Sequence, residues 1–443
     1  MTSALPPALP QVLPDNDALR EVLHNEVHAR PPARIRLPAL VVYVAVLNEG
    51  VSRGQEWQHL RQLPGQHDLT QAQLSGNFLR LRFADHTLKW ERHTEFTRYS
   101  IVQSLPEGAL VNATEEELMR QIVVDPAWLA SIPGRTVAAI MMAMVHGDVD
   151  DPAAMRKLGE HWFEGHDTLA SLLGIRRSCA MADFRLRDSG FERLLVVSSS
   201  NTSELRVGRI SQRLLELETY RIMALRGLPV AKDLVPMLGE AEAQLARITA
   251  RMENKDTSDQ ELLDQLIALA ARVERATATH LYRFTATQAY HALVQQRIEQ
   301  LRETPIPGTQ SLGEFVLKRV SPAISTVQAS AQRLSSLSQR IERASALLRT
   351  RVDIAAEAQQ QRLLSQLTRG QALQLSLQTT VEGLSIAAIS YYVVSLLGYG
   401  LKALKSAGVP LNLEIATGAM IPLVLWGVWR GTQRIHARLS LPH

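Results

Sequence analysis

Two constellations in this sequence combine imidazole with carboxylate, and a third sets polar groups along an apolar helix. His24 and His28 stand four apart in Asp17 to Arg30, a stretch that reads as a helix stopped by Pro31 and Pro32, so both fall on one face as two metal ligands would. Glu26 turns to the opposite face and no third ligand is evident, which excludes a zinc-protease pattern; histidines capping or hydrogen-bonding to a neighbouring sheet are the alternative. In Trp90-Glu91-Arg92-His93-Thr94-Glu95 the two-residue period of a strand puts Glu91, His93 and Glu95 on one face. One imidazole between two carboxylates suits a cation or a basic partner, and it also suits a solvated sheet face. Arg30, just behind the helix, is placed to take an anion or to pair with such carboxylates.

The third constellation lies near the end of the chain. Gln378, Ser385, Tyr392 and Tyr399 recur every seven residues, and Gln374, Glu382 and Ser395 lie close to the same stripe at about 100° per residue. In a symmetric homo-oligomer such a stripe lines a central water path, with Glu382 as a carboxylate ring at its cytoplasmic mouth and a divalent cation as cargo. The alternative is that Glu382 reaches water at a membrane edge and the tyrosines mark the interface. Elsewhere, Glu216, Glu218 and Arg221 are interleaved with Leu214, Leu215 and Leu217, which predicts charges paired at a domain or subunit interface. There is no phosphate loop, nucleophile elbow or cysteine-rich metal site, so neither an enzyme nor a cofactor is expected.

The elements that must carry these groups begin with two apolar segments. Leu384 to Leu401 holds no charge and is apolar all round, long enough for a ~30 Å hydrocarbon slab at 1.5 Å per residue. Leu411 to Trp429 is apolar apart from Asn412, Glu414 and Thr417, and Trp426, Trp429, Arg430, Arg434 and Arg438 supply an interfacial and basic flank. Two membrane spans are therefore expected, with the lipid bilayer as partner. Lys and Arg number 48 against 44 Asp and Glu, a formal charge of +4, which points to no nucleic-acid partner. The single cysteine, Cys179, excludes an internal disulfide framework and suits a reducing compartment. The N-terminal stretch has no basic start followed by an apolar run, so no signal peptide is expected and the body should stay in the cytoplasm. Both termini should face the cytoplasm of a multi-pass protein of the bacterial inner membrane.

Patterning divides the chain into an α/β domain at 1–201, a helical stalk at 202–383, two transmembrane helices at 384–430 and a short basic tail at 431–443. In the first region Ala39 to Leu47 and Thr136 to Val145 read as buried strands, Asn77 to Phe83 with Thr87 to His93 as a hairpin, Pro152 to Leu173 as a helix, and Asp183 to Arg187 with Phe191 to Val197 as a second hairpin. The cycle of strand, helix and hairpin occurs twice, and Arg-Leu-Arg recurs in NFLRLRFADH and DFRLRDSG, so an internal duplication forming one mixed sheet is expected. Thereafter helices are expected over Glu204 to Leu225, Ala231 to Met252 and Ser258 to Arg302, with a turn at Thr304 to Gly308. A coiled-coil-like helix of roughly 120 Å is expected from Pro322, at its first position, to Leu401. The fold class is thus α+β, with a mixed sheet, a long helical stalk and two C-terminal transmembrane helices.

Several strings resemble an uncharacterised bacterial family of membrane-anchored proteins, domain of unknown function 3422. They are Asn25 to Pro31, Trp90 to Phe96, Gln212 to Glu216 with Glu218 to Arg221, and Thr380 to Ser385 leading into Ala388 to Tyr392. The order of elements also resembles the pentameric CorA-type magnesium channels, which implies a pentamer passing divalent cations. Their Gly-Met-Asn signature is missing, with Gly398-Tyr399-Gly400 standing nearby, and Lys402 and Lys405 occupy the linker. The alternative is a cytoplasmic scaffold or sensor that the spans only tether.

Overall fold

The computed structural model describes residues 14–20, 23–24, 32–106, 108, 114–254, 258–407 and 412–439. They divide into two compact units, one formed by the chain up to Thr257 with Asp264–Glu342, the other by Ser258–Leu263 with Arg343–His443.

A nine-stranded mixed sheet organises the first unit. Its strands are β1 (Ala39–Leu47), β2 (Phe78–Arg82), β3 (His86–Arg92), β4 (Phe96–Ser104), β5 (Arg135–His146), β6 (Leu169–Leu173), β7 (Ser178–Ala182), β8 (Glu192–Ser198) and the two-residue β9 (Thr304–Pro305), in the order β2-β3-β4-β1-β5-β8-β7-β6-β9. β1 is central and buried along its whole length, which is why its sequence is an unbroken apolar run rather than an alternation. Leu40, Val42, Val44 and Val46 enter one core with Trp90, Tyr99 and Trp128, while Val41, Tyr43, Ala45 and Leu47 enter a second on the other face. The first face is covered by the short helices α1 (Arg53–Leu60), α2 (Glu115–Arg120), α3 (Pro126–Ala130) and α4 (Pro152–Trp162). The second is covered by α5 (Glu204–Leu225), by part of α7 (Asp259–Leu301) and by the start of α8 (Leu312–Ser406), with α6 (Gly227–Glu253) following α5.

Strand order repeats about the β1/β5 centre, β2-β3-β4-β1 against β6-β7-β8-β5. Strand direction does not: β1 is antiparallel to β4, whereas β5 is parallel to β8. Arg80-Leu81-Arg82 lies in β2, but Arg185-Leu186-Arg187 lies in the connection after β7, so the two strings occupy unlike places. The expected duplication therefore holds for order and fails for direction.

Among the element boundaries that differ from expectation, three have a visible local cause. The helix from Pro152 ends at Trp162 because Glu164 and Gly165 turn left-handed, and Leu169–Leu173 becomes a fully buried strand. The second hairpin pairs Ser178–Ala182 with β8, and Asp183 to Phe191 connect them: Asp183 accepts from Arg187 Nη2 at 2.6 Å, while Leu186 is exposed, so an apparent alternation is a stapled loop. The long helix begins at Leu312, ten residues before Pro322. Ser311 Oγ accepts from Glu314 N at 3.3 Å and the Glu303 carboxylate accepts from Gly313 N at 2.9 Å, which satisfies orphan donors with an anion at the positive end of the helix.

In the second unit Arg351 Nε meets Asp259 Oδ1 at 3.1 Å and Leu348 is buried. Beyond Val352, α8 is bare apart from a sheltered stripe through Glu382, Ile386, Ser390 and Val394, and α9 (Leu413–Leu439) shelters Ala416, Met420, Val424 and Val428 at the same spacing. Among the described residues one helix, α8, is long and apolar enough to cross a membrane, and only 6% of its most apolar stretch is covered.

Candidate functional site

Charges converge where β3, β4, α5 and α7 meet. Glu91 and Arg98 stand opposite one another across β3 and β4, and Arg98 Nε donates to Glu91 Oε2 at 2.6 Å. The other arm of Arg98 donates from Nη1 to Glu216 Oε1 at 3.0 Å, and Arg297 Nε donates to Glu216 Oε2 at 2.5 Å. Lys89 Nζ reaches Glu91 Oε2 at 3.2 Å, and Gln212 Nε2 reaches Glu216 Oε1 at 2.8 Å. Burial works against the Glu91 carboxylate, but Arg98 and Lys89 overcome it and hold its pKa at about 2. Glu216 is held down in the same way against burial, by Arg98 and Arg297. Burial alone would lower Arg98, and the two carboxylates raise it well above the ordinary guanidinium value. Beside them Thr219 Oγ1 donates to Leu215 O at 2.9 Å, which leaves the Tyr43 hydroxyl to donate to Thr219 at 2.7 Å.

This cluster floors a cleft. A narrow space of about 40 Å³, room for a water molecule, is bounded by Lys89, Glu91, Arg98 and Gln212; it adjoins a wider one of about 460 Å³ bordered by Arg34, Arg80, Arg82 and Thr87. Burial, and then Arg82 beside it, lower the pKa of Arg80. One wall needs a glycine: a Cβ on Gly208 of α5 would stand 1.7 Å from the carbonyl oxygen of Ala33, and Ile35 N donates to Glu204 O at 3.2 Å on the same contact. The mouth is basic and the charges of the floor are paired with one another. Such an arrangement suits an anion at the rim, since every charged group on the floor already has a partner of opposite sign.

The expected sites fare differently. Glu91 belongs to the buried network, whereas β3 ends at Arg92: His93 enters a turn and stacks on Phe96 with centroids 4.6 Å apart, and Glu95 pairs with Arg283 of α7. The three therefore form no ligand row. His24 is exposed, and His28 and Arg30 lie outside the described residues. On α8, Gln378, Ser385, Tyr392 and Tyr399 are exposed, while Glu382 and Ser395 are half-buried. No group of three metal-ligating side chains occurs among the described residues.

Sequence reasoning missed three buried features. Glu192 of β8 lies with Glu218 and Arg221 of α5, Arg193 stacks over Trp162 at 4.2 Å, and His59 stacks on Trp128 at 4.3 Å, where burial lowers its pKa to about 4. The only signal in the sequence was charge inside apolar runs, as in Phe191-Glu192-Arg193-Leu194-Leu195.

Two strings that carried the family resemblance, Trp90 to Phe96 and Gln212 to Arg221, thus meet in one network through Glu91, Arg98 and Glu216. No curated protein matches the chain. The CorA-type likeness, drawn from element order, gains no support from the family match. That match, to the family described as protein of unknown function (DUF3422), covers residues 15–439, and the chain belongs to this family.

Proposed function

We propose that this chain is an integral membrane protein whose α/β body acts as a non-enzymatic scaffold or sensor on the cytoplasmic side of a bacterial inner membrane. The observation that carries the reading is the exposed apolar surface of α8 outside its sheltered stripe: Leu384, Ile389, Leu396 and Tyr399 are exposed along a stretch without charge. A contiguous apolar surface of that size in water would drive association, and a hydrocarbon environment satisfies it without any further covering. The second span is the expected segment 411–429, carried by α9 from Leu413 onward, where Leu423, Leu425 and Trp426 are likewise exposed and Arg430 follows directly. Resistance of the full chain to alkaline extraction from membranes tests anchoring, and release into the soluble fraction overturns it. Reporters should place both termini inside and the segment at Ser406 outside.

A second reading, an oligomeric cation path, is favoured by one observation. Gln378, Ser385, Tyr392 and Tyr399 are exposed on a common stripe of α8 with Glu382 beside it, and a homo-oligomer that turned this stripe inward would line a pore with them.

A further inference from the structure

The first unit holds a separate cluster of like charges. Arg206, Arg209 and Arg213 follow one another at three and four residues on one face of α5, and Arg302 stands just past α7, around a cavity of about 240 Å³ closed by the Gly174 and Ile175 turn. Among the described residues no carboxylate lies within ion-pair distance of these four guanidinium groups. Glu216 is the acid that acts on Arg213, and its two oxygens are already engaged by Arg98 and Arg297. Arg213 Nη1 donates to the carbonyl of Gln300 at 2.8 Å, which fixes its guanidinium toward the cavity. The rim is also conformationally unusual: Ile175, Arg176 and Arg302 have φ of 65°, 57° and 48°, a region that side-chain-bearing residues rarely adopt and that clusters at ligand sites. Burial, then Arg209, Arg297 and Arg302, lower the pKa of Arg213, the signature of positive charges held together.

We propose that this cavity is an anion site that takes a phosphate or pyrophosphate group, its oxygens bound by Arg206, Arg209, Arg213 and Arg302. Guanidinium forks match phosphate oxygens in pairs, and a multivalent anion relieves the mutual repulsion of the four arginines. The space is below the usual 300–1,000 Å³ of small-molecule pockets. It therefore admits the charged group and leaves the rest of the ligand outside. That group belongs either to a soluble phosphorylated molecule or to an anionic lipid headgroup. The proposal does not depend on the membrane reading.

The test uses the full chain in neutral detergent at low salt. Pyrophosphate is titrated by calorimetry, and phosphatidic acid is compared with phosphatidylcholine by the adducts each leaves in native mass spectrometry. The double variant Arg209→Gln, Arg302→Gln removes two exposed charges and leaves the Arg213 to Gln300 bond intact. Affinity for whichever probe binds the parent should fall roughly tenfold or more, since charged hydrogen bonds are lost. The Arg209→Lys, Arg302→Lys pair should lose less. Pyrophosphate binding that the Gln variant loses identifies a soluble source, and phosphatidic acid adducts that it loses identify a lipid. Should the double variant melt early by circular dichroism, Arg209→Glu alone is read by the same criteria. Neither probe binding the parent, or unchanged affinity in a folded variant, overturns the proposal.

Discussion

Glu192 of β8 and Glu218 of α5 share a single guanidinium in the core: Arg221 donates from Nε to Glu218 at 2.8 Å and brings Nη2 within 3.7 Å of Glu192. Two carboxylates facing one cation in a dry setting do not both ionise freely. Burial, and then the charge of Glu218, push the pKa of Glu192 up to about 9.

That pairing predicts a pH dependence. A group raised above its unfolded value contributes stability that is complete below the ordinary carboxylate range and lost as pH rises through the folded value. Between about pH 5 and pH 9 the folded chain should hold a proton that the unfolded chain has released, so this contribution declines across that window. Glu192→Gln, which keeps the shape and fixes the neutral state, should flatten the decline. Unfolding midpoints at the two ends of the window check it; equal slopes in parent and variant would show that no proton is shared.

Arg98 should be the most sensitive single position in the network. Its removal as Arg98→Met leaves Glu91 and half of Glu216 buried without their main partner, and breaking a buried pair typically costs roughly 3–5 kcal/mol. Arg120→Met, which breaks an exposed helix pair with Glu116, should leave stability unchanged within error. Denaturant midpoints of the two variants should therefore separate widely, and similar midpoints would mean that the network contributes little.

Much of the sheet was legible because its central strands are buried on both faces and read as pure apolar runs: β1 ends where the run Ala39 to Leu47 ends. Legibility failed where a long-range partner decides the structure. Leu169–Leu173 is apolar enough to continue a helix, and its pairing with β7 and β9 makes it a strand. Pro322 looked like a helix start because nothing local reveals that Glu303 and Ser311 satisfy the turn ten residues earlier. At the site, the two-residue period placed Glu91 correctly in a strand but could not show that β3 stops at Arg92, and Arg98, which joins the two carboxylates, stands 7 residues from Glu91 and 118 from Glu216 along the chain.

Gly208→Ala should damage the cleft without touching a charge. The added methyl would sit 1.7 Å from a carbonyl oxygen, and because the obstacle is backbone, α5 or the segment at Ala33 must shift. Stability should drop by about 1–3 kcal/mol, the usual range for overpacking. Gly239→Ala on α6 meets open space and should be neutral or stabilising. A Gly208→Ala protein that melts with the parent would show that the contact yields easily.

The last prediction separates the tether from the pore. If α8 lines a water path in an oligomer, Glu382→Gln removes one charge per subunit from a confined ring while keeping size and hydrogen-bonding capacity, so divalent-cation flux into proteoliposomes should fall with the oligomer intact. Glu382→Lys should reduce flux further, because a ring of positive charges in a low-dielectric passage opposes cation entry. A tethered scaffold predicts no flux in the parent and no effect of either change beyond local stability. Light scattering in detergent fixes the subunit number first, since a monomer or dimer cannot enclose a path between five copies of α8. Uptake measured for several cations at matched reconstitution then decides: an intact oligomer without parent flux leaves the stripe as a lipid-facing or subunit-facing surface and the α/β body as the working part.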